Sequence, residues 1–279
     1  MLSPLAQRKI EELLLEDIGF GDLASETLDP NLEVSGRIIS KGEGIIAGVE
    51  EASYAFSRLG VSVKARKKDG EKVKPQEVIL EVKGKAREIF AAERTALNLL
   101  MWMSGTATAT AEMVRKAREV NPKVVVACTR KSPLPIFDKK AVQAGGGDPH
   151  RFRLDDCILL KRNHIKVLKG VKQALQRIRK SFTKKVEVEV KNAQEALEAA
   201  RLGADIVMLD NSSVGEVRKT VELLKKEGLK GKVLVEVSGG INPSNIEEYA
   251  RAGPDIISSS YMTMHAPALD LSLEIESTC

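Results

Sequence analysis

The sequence predicts an α/β barrel that follows a smaller α+β domain. From residue 123 onward, short apolar segments rich in β-branched residues alternate with amphipathic segments of helical character. Nearly continuous apolar strands are typical of a parallel sheet that is buried on both faces. The predicted strands are residues 124–128, 157–160, 186–190, 205–209, 233–237 and 255–258. A series of this length favours a barrel, and an open doubly wound sheet remains the alternative.

Helices are predicted before and between these strands. The segment 101–120 precedes the first strand, and further helices are predicted at 165–180, 193–202, 213–227 and 243–251. Gly203 follows one of these helices and Pro243 opens another, which are common stop and start signals. No GxGxxG motif follows a strand, which argues against a dinucleotide-binding sheet.

Residues 1–104 show a different pattern and are predicted to form an α+β domain. A helix at 4–16 is followed by extended segments with a turn at Asp69-Gly70, and a long helix at 86–103 leads into the barrel. We therefore divide the chain into an N-terminal domain, 1–104, and a catalytic barrel, 105–266. The acidic and apolar tail, 267–279, is expected to pack back on the first domain.

Composition excludes several classes of protein. The chain has 279 residues, enough for a barrel with an added domain, and no apolar run long enough to cross a membrane. Its N-terminus is acidic and amphipathic, unlike a signal peptide. Cys128, Cys157 and Cys279 form no CxxC pair or metal-binding spacing, so we expect a reducing cytoplasm. An aromatic content of 4% argues against nucleic-acid binding despite the basic pI.

Positive charge is concentrated in one segment. Residues 129–166 hold nine Lys or Arg against four Asp, an excess that equals the net charge of +5 for the whole chain. A solvated surface is the usual reading of such a run. Here, however, the basic residues directly follow apolar strands, at Thr129-Arg130-Lys131 and at Lys161. This placement favours a pocket for a small, strongly anionic ligand.

Polar residues or glycines stand at the carboxyl ends of all the predicted strands, where a parallel barrel binds its ligands. They are Thr129, Arg130, Lys131, Lys161, Asn163, Glu189, Asp210, Asn211, Ser238, Gly239, Gly240, Ser258, Ser259 and Ser260. Asp210 could instead be a helix N-cap, and Gly239-Gly240 a simple turn. Glu189 lies in an apolar strand, where a buried carboxylate needs a partner.

These residue types suit particular ligands. Arginine and lysine at Arg130, Lys131, Arg151 and Lys161 favour carboxylates and phosphates. Glycines after a late strand let backbone amides approach a phosphate. Carboxylates such as Glu189 accept hydrogen bonds from sugar hydroxyls or hold Mg²⁺ through water. The predicted site therefore binds anions and stabilises a developing cation.

An ordered set of motifs along the whole chain resembles the quinolinate phosphoribosyltransferase family. The motifs are ERTALN (93–98), TRK (129–131), GGGDPHR (145–151), LLKRNH (159–164), VEVEV (186–190), MLDN (208–211), SGG (238–240) and APALD (266–270). The resemblance implies an N-terminal α/β sandwich domain and an incomplete, seven-stranded α/β barrel of the type II phosphoribosyltransferase kind.

The resemblance also implies a reaction and its participants. Quinolinate and phosphoribosyl pyrophosphate would give nicotinate mononucleotide, pyrophosphate and CO₂, a step of de novo NAD biosynthesis. Mg²⁺ would accompany phosphoribosyl pyrophosphate, with no direct protein ligand beyond a contribution from Glu189 and Asp210. The partner would be a second copy of the chain in a homodimer with shared active sites, or in a hexamer. A cytoplasmic location is implied, with neither nucleic acid nor membrane as a partner.

The resemblance assigns roles to individual residues. Arg130, His150, Arg151 and Lys161 would bind the quinolinate carboxylates, and Arg94 would reach into the site of a neighbouring subunit. Lys131, Glu189 and Asp210 would be the catalytic residues. The residues expected to bind phosphoribosyl pyrophosphate are Lys131, Glu189, Asp210, Ser238, Gly239, Gly240, Ser259 and Ser260, with the 5′-phosphate at Ser238 and Gly239.

The sequence departs from the family pattern at three places. The loop after TRK is shorter, at residues 132–135; Arg162 stands where the family has Asp in KDNH; and Ser260 stands where glycine is common. Two other functions compete with this one: a molybdate-transport-associated paralogue with another substrate, and a non-catalytic anion-binding or nucleic-acid-binding barrel. Lys161, Asn163 and His164 argue against the first. Glu189 and Asp210 argue against the second, because carboxylates repel a polyanion.

Overall fold

The chain forms two units, each with its own sheet. The computed structural model describes residues 2–179 and 181–278. The first unit contains the chain up to Ala111, then Ile136–Gly146, and then the chain from Ala266; the second contains Glu112–Pro135 and Gly147–His265. The division at residues 104 and 105 stays a prediction, and Cys279 lies outside the described residues.

Helices and strands alternate along most of the chain. In order they are α1 (Pro4–Ile18), β1 (Glu33–Ser40), β2 (Gly44–Ile45), α2 (Val49–Arg58), β3 (Ser62–Ala65), β4 (Lys72–Val73), β5 (Val78–Lys85), α3 (Ala86–Val120), β6 (Val125–Cys128), α4 (Pro135–Ala144), β7 (Ile158–Leu160), α5 (Arg162–Val167), α6 (Val171–Gln176), β8 (Val186–Val190), α7 (Ala193–Arg201), β9 (Ile206–Asp210), α8 (Val214–Lys226), β10 (Leu234–Ser238), α9 (Ile246–Arg251), β11 (Ile256–Ser259), α10 (Tyr261–Met264) and β12 (Leu271–Thr278). Within the described part of the chain, no helix combines the length and apolar character that a membrane crossing requires.

The first unit is built on an antiparallel sheet with the strand order β12-β1-β5-β3. Helix α1 buries Ala6, Ile10 and Leu14, one side chain per turn, and packs against α2. Helix α2 in turn packs against β3 and β5, so that helices and sheet share one apolar core. The C-terminal strand β12 pairs with β1, from Ser40 opposite Leu271 onward.

Helix α3 is longer than predicted. The sequence suggests two helices, 86–103 and 101–120, whereas the structure has one continuous helix, Ala86–Val120. Gly105 does not interrupt it, because this glycine serves close packing rather than a turn. A Cβ at Gly105 would lie 2.9 Å from Cα of Ala268 and still closer to the carbonyl oxygen of Pro267. The backbone of residues 267 and 268 therefore leaves no room for a side chain at this position.

The second unit contains a parallel sheet with the order β6-β11-β10-β9-β8-β7. A further residue, Asp148, forms a parallel bridge to Ala127 on the free edge of β6. Its amide donates to Val126 at 2.8 Å, and its carbonyl accepts from Cys128 at 3.1 Å. The described sheet thus has six strands and one isolated bridge, which is consistent with the expected incomplete barrel.

The helix predicted at 165–180 is wrong. The structure has two short helices instead, α5 and α6. Lys169 has a φ of 61° and Gly170 a φ of 138°, both outside the helical region, so the first helix must end before them.

The reading of Asp210 as an N-cap is also wrong, because Ser213 caps α8 by accepting a hydrogen bond from the amide of Glu216.

We predict that Gly105→Ala destabilises the first unit, although alanine is the better helix former. Helix propensity alone would stabilise the variant by about 1 kcal/mol. The collision with residues 267 and 268 should outweigh this and lower the free energy of unfolding by about 1–3 kcal/mol. Denaturant unfolding measures the difference.

Gly215→Ala is the matched control for that measurement. Gly215 lies in the first turn of α8, and a methyl group there would have the Ser213 hydroxyl as its nearest neighbour, at 3.9 Å. This variant should be as stable as the parent protein or slightly more stable. Equal stabilisation by both alanines would contradict the packing role of Gly105.

Candidate active site

A cavity of ≈ 290 Å³ opens at the carboxyl ends of the parallel strands of the second unit. Its lining combines basic, acidic and small residues: Cys128, Thr129, Arg130, Lys131, His150, Arg151, Leu159, Lys161, Glu187, Glu189, Met208, Asp210, Glu236, Ser238 and Ser258. Parallel barrels bind their ligands at this end of the strands. The cavity is therefore the candidate active site.

Strand register explains which side chains enter the cavity. Successive side chains of a strand point to opposite faces, so Glu187 and Glu189 share one face of β8 while its valines share the other. Parallel pairing then aligns two rows of neighbours: Glu189, Met208 and Glu236 in one, and Asp210, Ser238 and Ser258 in the next. All of these residues line the cavity, because each lies on the inward face of its strand.

The structure brings most of the predicted site residues together. Those that line the cavity are Arg130, Lys131, His150, Arg151, Lys161, Glu189, Asp210 and Ser238. Gly239, Gly240, Ser259 and Ser260 follow the same strand ends but are not among the described lining residues. Arg94 is exposed on α3, in the first unit.

Ser259 differs from what the strand-end pattern suggests. Its side chain is buried, and its hydroxyl donates to the carbonyl of Ile241 at 2.5 Å and accepts from the amide of Tyr261 at 2.9 Å. The hydroxyl is therefore committed to the protein itself. Ser260 directly precedes α10, where its carbonyl accepts from the amide of Met264.

Sequence reasoning missed two residues of the cavity, Glu187 and Glu236. Both are 1% exposed or less, and both lie inside strands of otherwise apolar residues. The signal is present in VEVEV and VLVEV, because a carboxylate in a buried strand needs a partner. The strand-end rule selects Glu189 alone, because it considers only the residues at which strands end.

The partner of both carboxylates is His150. Its Nε2 lies 3.1 Å from Oε2 of Glu236 and 3.2 Å from Oε2 of Glu187. The residue adopts a left-handed conformation with a φ of 57°, which is uncommon outside glycine. A hydrogen bond from its own amide to the Asp148 carboxylate, at 2.6 Å, holds this conformation.

The two carboxylates keep His150 protonated. Burial alone would lower the pKa of the ring, but its contacts with Glu187 and then Glu236 outweigh burial and raise the pKa to about 10. Burial also raises the pKa of the Glu187 carboxyl, against the opposing influence of His150. Neither oxygen of Glu187 has a hydrogen-bond partner among the described residues, so its attraction to His150 is ionic. The floor of the cavity is thus a buried ion cluster.

The remaining cations lie around this floor. Arg151 is 6% exposed, and its guanidinium donates to the carbonyl of Cys157 at 3.4 Å. The backbone of Lys131 is fixed by two bonds: its amide donates to the Thr129 hydroxyl, and its carbonyl accepts from Thr263. These contacts fix the backbone and leave the Lys131 ammonium at the cavity wall.

Lys161 is positioned by the turn that follows it. Its amide donates to Nδ1 of His164 at 3.0 Å, which closes the first turn of α5. His164 therefore has a local structural role in the KRNH segment, which the sequence alone does not reveal. The Lys161 side chain, like that of Lys131, faces the cavity from an exposed position.

Glu189 and Asp210 form an acidic pair at the ends of β8 and β9. Arg162, the cation that the sequence adds to the family motif, contacts both: Nε lies 3.2 Å from Oε1 of Glu189, and a terminal nitrogen lies 3.9 Å from Oδ2 of Asp210. The amide group of Asn211 also donates to Oδ2 of Asp210 at 2.9 Å.

Gly239 connects this pair with the loop that follows β10. Its φ of 93° favours glycine, and a Cβ there would lie 2.7 Å from the backbone nitrogen of Asn211 and closer to its side chain. Asn211 itself is left-handed, and its amide donates to the carbonyl of Ser238 at 2.8 Å. At Gly240 a Cβ would meet open space, so only its φ of 65° favours glycine.

Two groups of side chains could be considered for a metal ion. His150, Glu187 and Glu236 offer ligand atoms within 4.8 Å of one another, but Nε2 of His150, the atom that faces both carboxylates, carries a proton and cannot coordinate a cation in that state. Glu189 and Asp210 offer carboxylate oxygens toward the cavity, the ligand type that Mg²⁺ prefers together with phosphate oxygens. The donor set at the strand ends therefore fits Mg²⁺ that enters with a phosphorylated substrate.

Comparison with known proteins agrees with this geometry. A family model for the C-terminal domain of quinolinate phosphoribosyl transferase matches residues 106–274, and the model for its N-terminal domain matches residues 22–104. A relative from Archaeoglobus fulgidus, named probable nicotinate-nucleotide pyrophosphorylase (carboxylating), is 50% identical over 258 residues, which are 92% of this chain and 98% of the relative. The human nicotinate-nucleotide pyrophosphorylase (carboxylating) is 37% identical over 240 residues, 85% of this chain and 80% of the human protein.

Solved structures give the same result. The nicotinate-nucleotide pyrophosphorylase from Francisella tularensis superposes with a TM-score of 0.91 at 35% identity, covering 99% of this chain and 98% of that chain. The structure from Pyrococcus furiosus, at 20% identity and a TM-score of 0.70, supports the fold alone. The predicted fold class, a sandwich domain followed by an incomplete α/β barrel, is confirmed.

The fold and the site together define an α/β-barrel transferase class that binds anionic substrates at the carboxyl ends of its strands. Family models match both domains and cover most of the sequence. The chain belongs to the quinolinate phosphoribosyltransferase family, and the resemblance seen in its motifs is confirmed.

We predict that His150 stays an imidazolium throughout the neutral range. In an NMR titration its ring signals, assigned with His150→Gln, should not shift between about pH 6 and about pH 9, because the pKa is raised to about 10. The folded pKa lies above the ordinary value of 6.5, so this contribution to stability is complete below that pH and is lost as the pH rises through about 10.

Glu236→Gln provides the control for that titration. It keeps the shape of the side chain and removes one of the two negative charges next to Nε2. The midpoint of His150 should therefore move to lower pH in this variant. A wild-type midpoint near the ordinary value would mean that the carboxylates do not hold the proton.

Proposed function

We propose that this protein transfers the phosphoribosyl group of phosphoribosyl pyrophosphate to quinolinate and decarboxylates the product, as a pentosyltransferase of NAD biosynthesis. The observation that carries the proposal is the composition of one cavity, which places a group of cations beside the acidic pair Glu189 and Asp210. Cations suit the carboxylates of quinolinate, and the acidic pair suits a sugar whose C1 becomes positive. The activity named for the human and Archaeoglobus relatives supports the same reaction.

Quinolinate is proposed to bind at the basic wall. Arg130, Arg151 and Lys161 line the cavity together with the protonated His150. Two carboxylates on one small ring can satisfy several of these cations at once, whereas a monocarboxylate leaves some of them unpaired. Because the side chains of Arg151 and His150 are held by the contacts described above, they would help to position the ring before the reaction begins.

The phosphoribosyl group is proposed to bind at the acidic strand ends. Glu189 and Asp210 would accept hydrogen bonds from the ribose hydroxyls and stabilise positive charge at C1. Lys131 would lie between the two substrates, next to the pyrophosphate. Ser238, Gly239 and Gly240 would hold the 5′-phosphate, together with the backbone of Ser259 and Ser260, since the Ser259 hydroxyl is already committed.

The proposed reaction proceeds in two steps. The pyridine nitrogen forms a bond to C1 as the bond from C1 to the pyrophosphate oxygen breaks, and pyrophosphate leaves with that electron pair. The bond from ring carbon 2 to its carboxylate then breaks, CO₂ leaves, and the adjacent cationic nitrogen stabilises the electron pair until a proton arrives. Mg²⁺, held with Glu189 and Asp210 or through water, would neutralise charge on the departing pyrophosphate.

A homodimer with shared active sites is part of the proposal, and a hexamer of such dimers is compatible with it. Arg94 would contribute to quinolinate binding in the site of the partner subunit. The barrel domain, 105–266, would carry the chemistry, and the N-terminal domain, 1–104 with the tail 267–279, would supply Arg94. We further propose a cytoplasmic location, where the reduced Cys128 and Cys157 would be stable.

Substrate choice tests the proposed function. Incubated with phosphoribosyl pyrophosphate and Mg²⁺, the protein should release CO₂ from quinolinate carrying a labelled 2-carboxylate and form nicotinate mononucleotide. Nicotinate lacks that carboxylate and leaves one of the cations unpaired, at about 3 kcal/mol or more where it is the buried Arg151, so its kcat/KM should be lower by at least about 10²-fold. Equal use of the two acids would contradict the assignment of the basic wall.

Subunit mixing tests the shared site. Arg94→Ala and Lys161→Ala should each be nearly inactive, since each removes a proposed contact with quinolinate. When the two variants are unfolded and refolded together, about half of the dimers are mixed, and one of their two sites carries neither substitution. Activity should then recover to roughly a quarter of the wild-type value.

The control for subunit mixing is Lys161→Ala refolded with Arg130→Ala. Both substitutions lie in the barrel, so every site of a mixed dimer retains one defect and no activity should return. If Arg94→Ala also fails to complement Lys161→Ala, while mass spectrometry confirms mixed dimers, then Arg94 does not act across subunits.

A further inference from the structure

We propose that Arg162 is a positioning residue, which neutralises the acidic pair Glu189 and Asp210 in the substrate-free protein and must be displaced when phosphoribosyl pyrophosphate binds. This inference rests on the proposed function, because it identifies those carboxylates as the ribose-binding groups. Arg162 stands at the first position of α5, next to Lys161, where the family motif has Asp. The displacement of an arginine is therefore a step of substrate binding that this chain adds to the family pattern.

The contacts of Arg162 place its guanidinium on the proposed ribose site. Its Nε lies 3.2 Å from Oε1 of Glu189, and a terminal nitrogen lies 3.9 Å from Oδ2 of Asp210. A bridging hydroxyl needs about 2.7 Å to each partner, so a sugar oxygen does not fit between the guanidinium and Glu189. A ribose hydroxyl that binds Oε1 of Glu189 therefore competes with Arg162 for this oxygen.

Charge gives a second reason why Arg162 has to move. The acidic pair can stabilise a developing cation at C1 only if its negative charge is not already neutralised by a nearby guanidinium. In the empty site the opposite holds: two carboxylates at the ends of neighbouring strands repel each other, and Arg162 relieves that repulsion. The same ion pair is thus favourable without substrate and unfavourable during the reaction.

The exposure of Arg162 indicates that displacement is easy. Its side chain is 55% exposed, whereas that of Glu189 is 10% exposed. Ion pairs with an exposed partner are weak because water and salt screen them, and they alter an equilibrium only by about 2- to 5-fold. The Asp210 carboxylate keeps a hydrogen bond when the guanidinium leaves, since Asn211 still donates to it.

A second cavity offers the displaced side chain a place to go. It has a volume of ≈ 420 Å³ and is lined by Arg162 and Asp210 together with Lys191, Asn192, Asn211 and Ser213 among others. Arg162 already lines this cavity, and Asp210 lines both it and the active-site cavity, so a rotation of the long side chain further into the second cavity would take the guanidinium off the acidic pair. This movement leads the guanidinium away from the cations proposed to bind quinolinate.

The test compares the loss of Arg162 with the loss of a neighbouring charge. Isothermal titration without quinolinate gives the Kd of phosphoribosyl pyrophosphate with Mg²⁺ and without turnover. Lys191→Gln removes one cation near the same strand end, where the lysine contacts Glu195 rather than the acidic pair. This control should weaken binding of the polyanion by long-range attraction alone.

Arg162→Gln loses the same charge but also removes the competitor. We expect its Kd to be equal to or below the wild-type value, and about 2- to 5-fold below that of Lys191→Gln. Arg162→Lys, with a more compact and strongly hydrated cation, should lie between Arg162→Gln and the wild type. In the wild type, the NMR signal of the Arg162 Nε proton should shift on saturation with phosphoribosyl pyrophosphate.

Three results would overturn the proposal. If Arg162→Gln weakens binding as much as Lys191→Gln or more, Arg162 either binds the substrate or has no special role. An unshifted Nε signal at saturation would show that the guanidinium is not displaced. If the wild type binds no phosphoribosyl pyrophosphate in this titration but releases CO₂ from quinolinate, this inference alone fails; if it also releases no CO₂, the proposed function fails with it.

Discussion

The candidate site depends on one buried ion cluster, in which His150 is held between Glu187 and Glu236. Both carboxylates are almost fully buried, and removing an ion from water without a partner is unfavourable by several kcal/mol. The imidazolium offsets part of their charge, and in return they keep it protonated, with its pKa raised to about 10. The left-handed backbone of His150 and its bond to Asp148 bring the ring to this place. The cavity that holds the basic residues therefore also contains an imidazolium that stays charged near neutral pH.

The cluster replaces part of the apolar interior that a barrel would otherwise have. Side chains that point into a parallel barrel are usually large and branched, and they fill its centre. Here the inward positions of β8 and β10 hold Glu187, Glu189, Glu236 and Ser238, while valines occupy the outward positions. The outward valines and leucines still pack under the helices, so the sheet keeps its core on one face. The inward face near the strand ends instead lines a cavity with charged side chains.

The ends of β8 to β11 lie within about one residue of the prediction from sequence. The strands were predictable because each is a short run of mostly branched apolar residues. The helix at 165–180 failed because Lys169 and Gly170 leave the helical region, which periodicity does not reveal. For the site, the strand-end rule found Arg130, Lys161, Glu189 and Asp210. It missed Glu187 and Glu236, which lie inside their strands, and it could not show that the Ser259 hydroxyl is turned toward Ile241. The sequence also could not show that Arg162 pairs with Glu189 and Asp210, because the three residues come from separate segments of the chain.

Hydrogen bonds and close packing connect Asp210 of the acidic pair with the loop at Gly239 and Gly240. Asn211 donates to Asp210 through its side chain and to Ser238 through its backbone, and Gly239 leaves it just enough room. Closely packed protein interiors transmit small displacements rather than absorbing them. A displacement of the backbone at Gly239 is therefore expected to reach Asn211 and, through it, the carboxylate of Asp210. Under the proposed function, a phosphate held at Gly239 would in this way align the Asp210 carboxylate for the ribose, while the half-exposed side chain of Arg162 would be the part of the site that moves most easily.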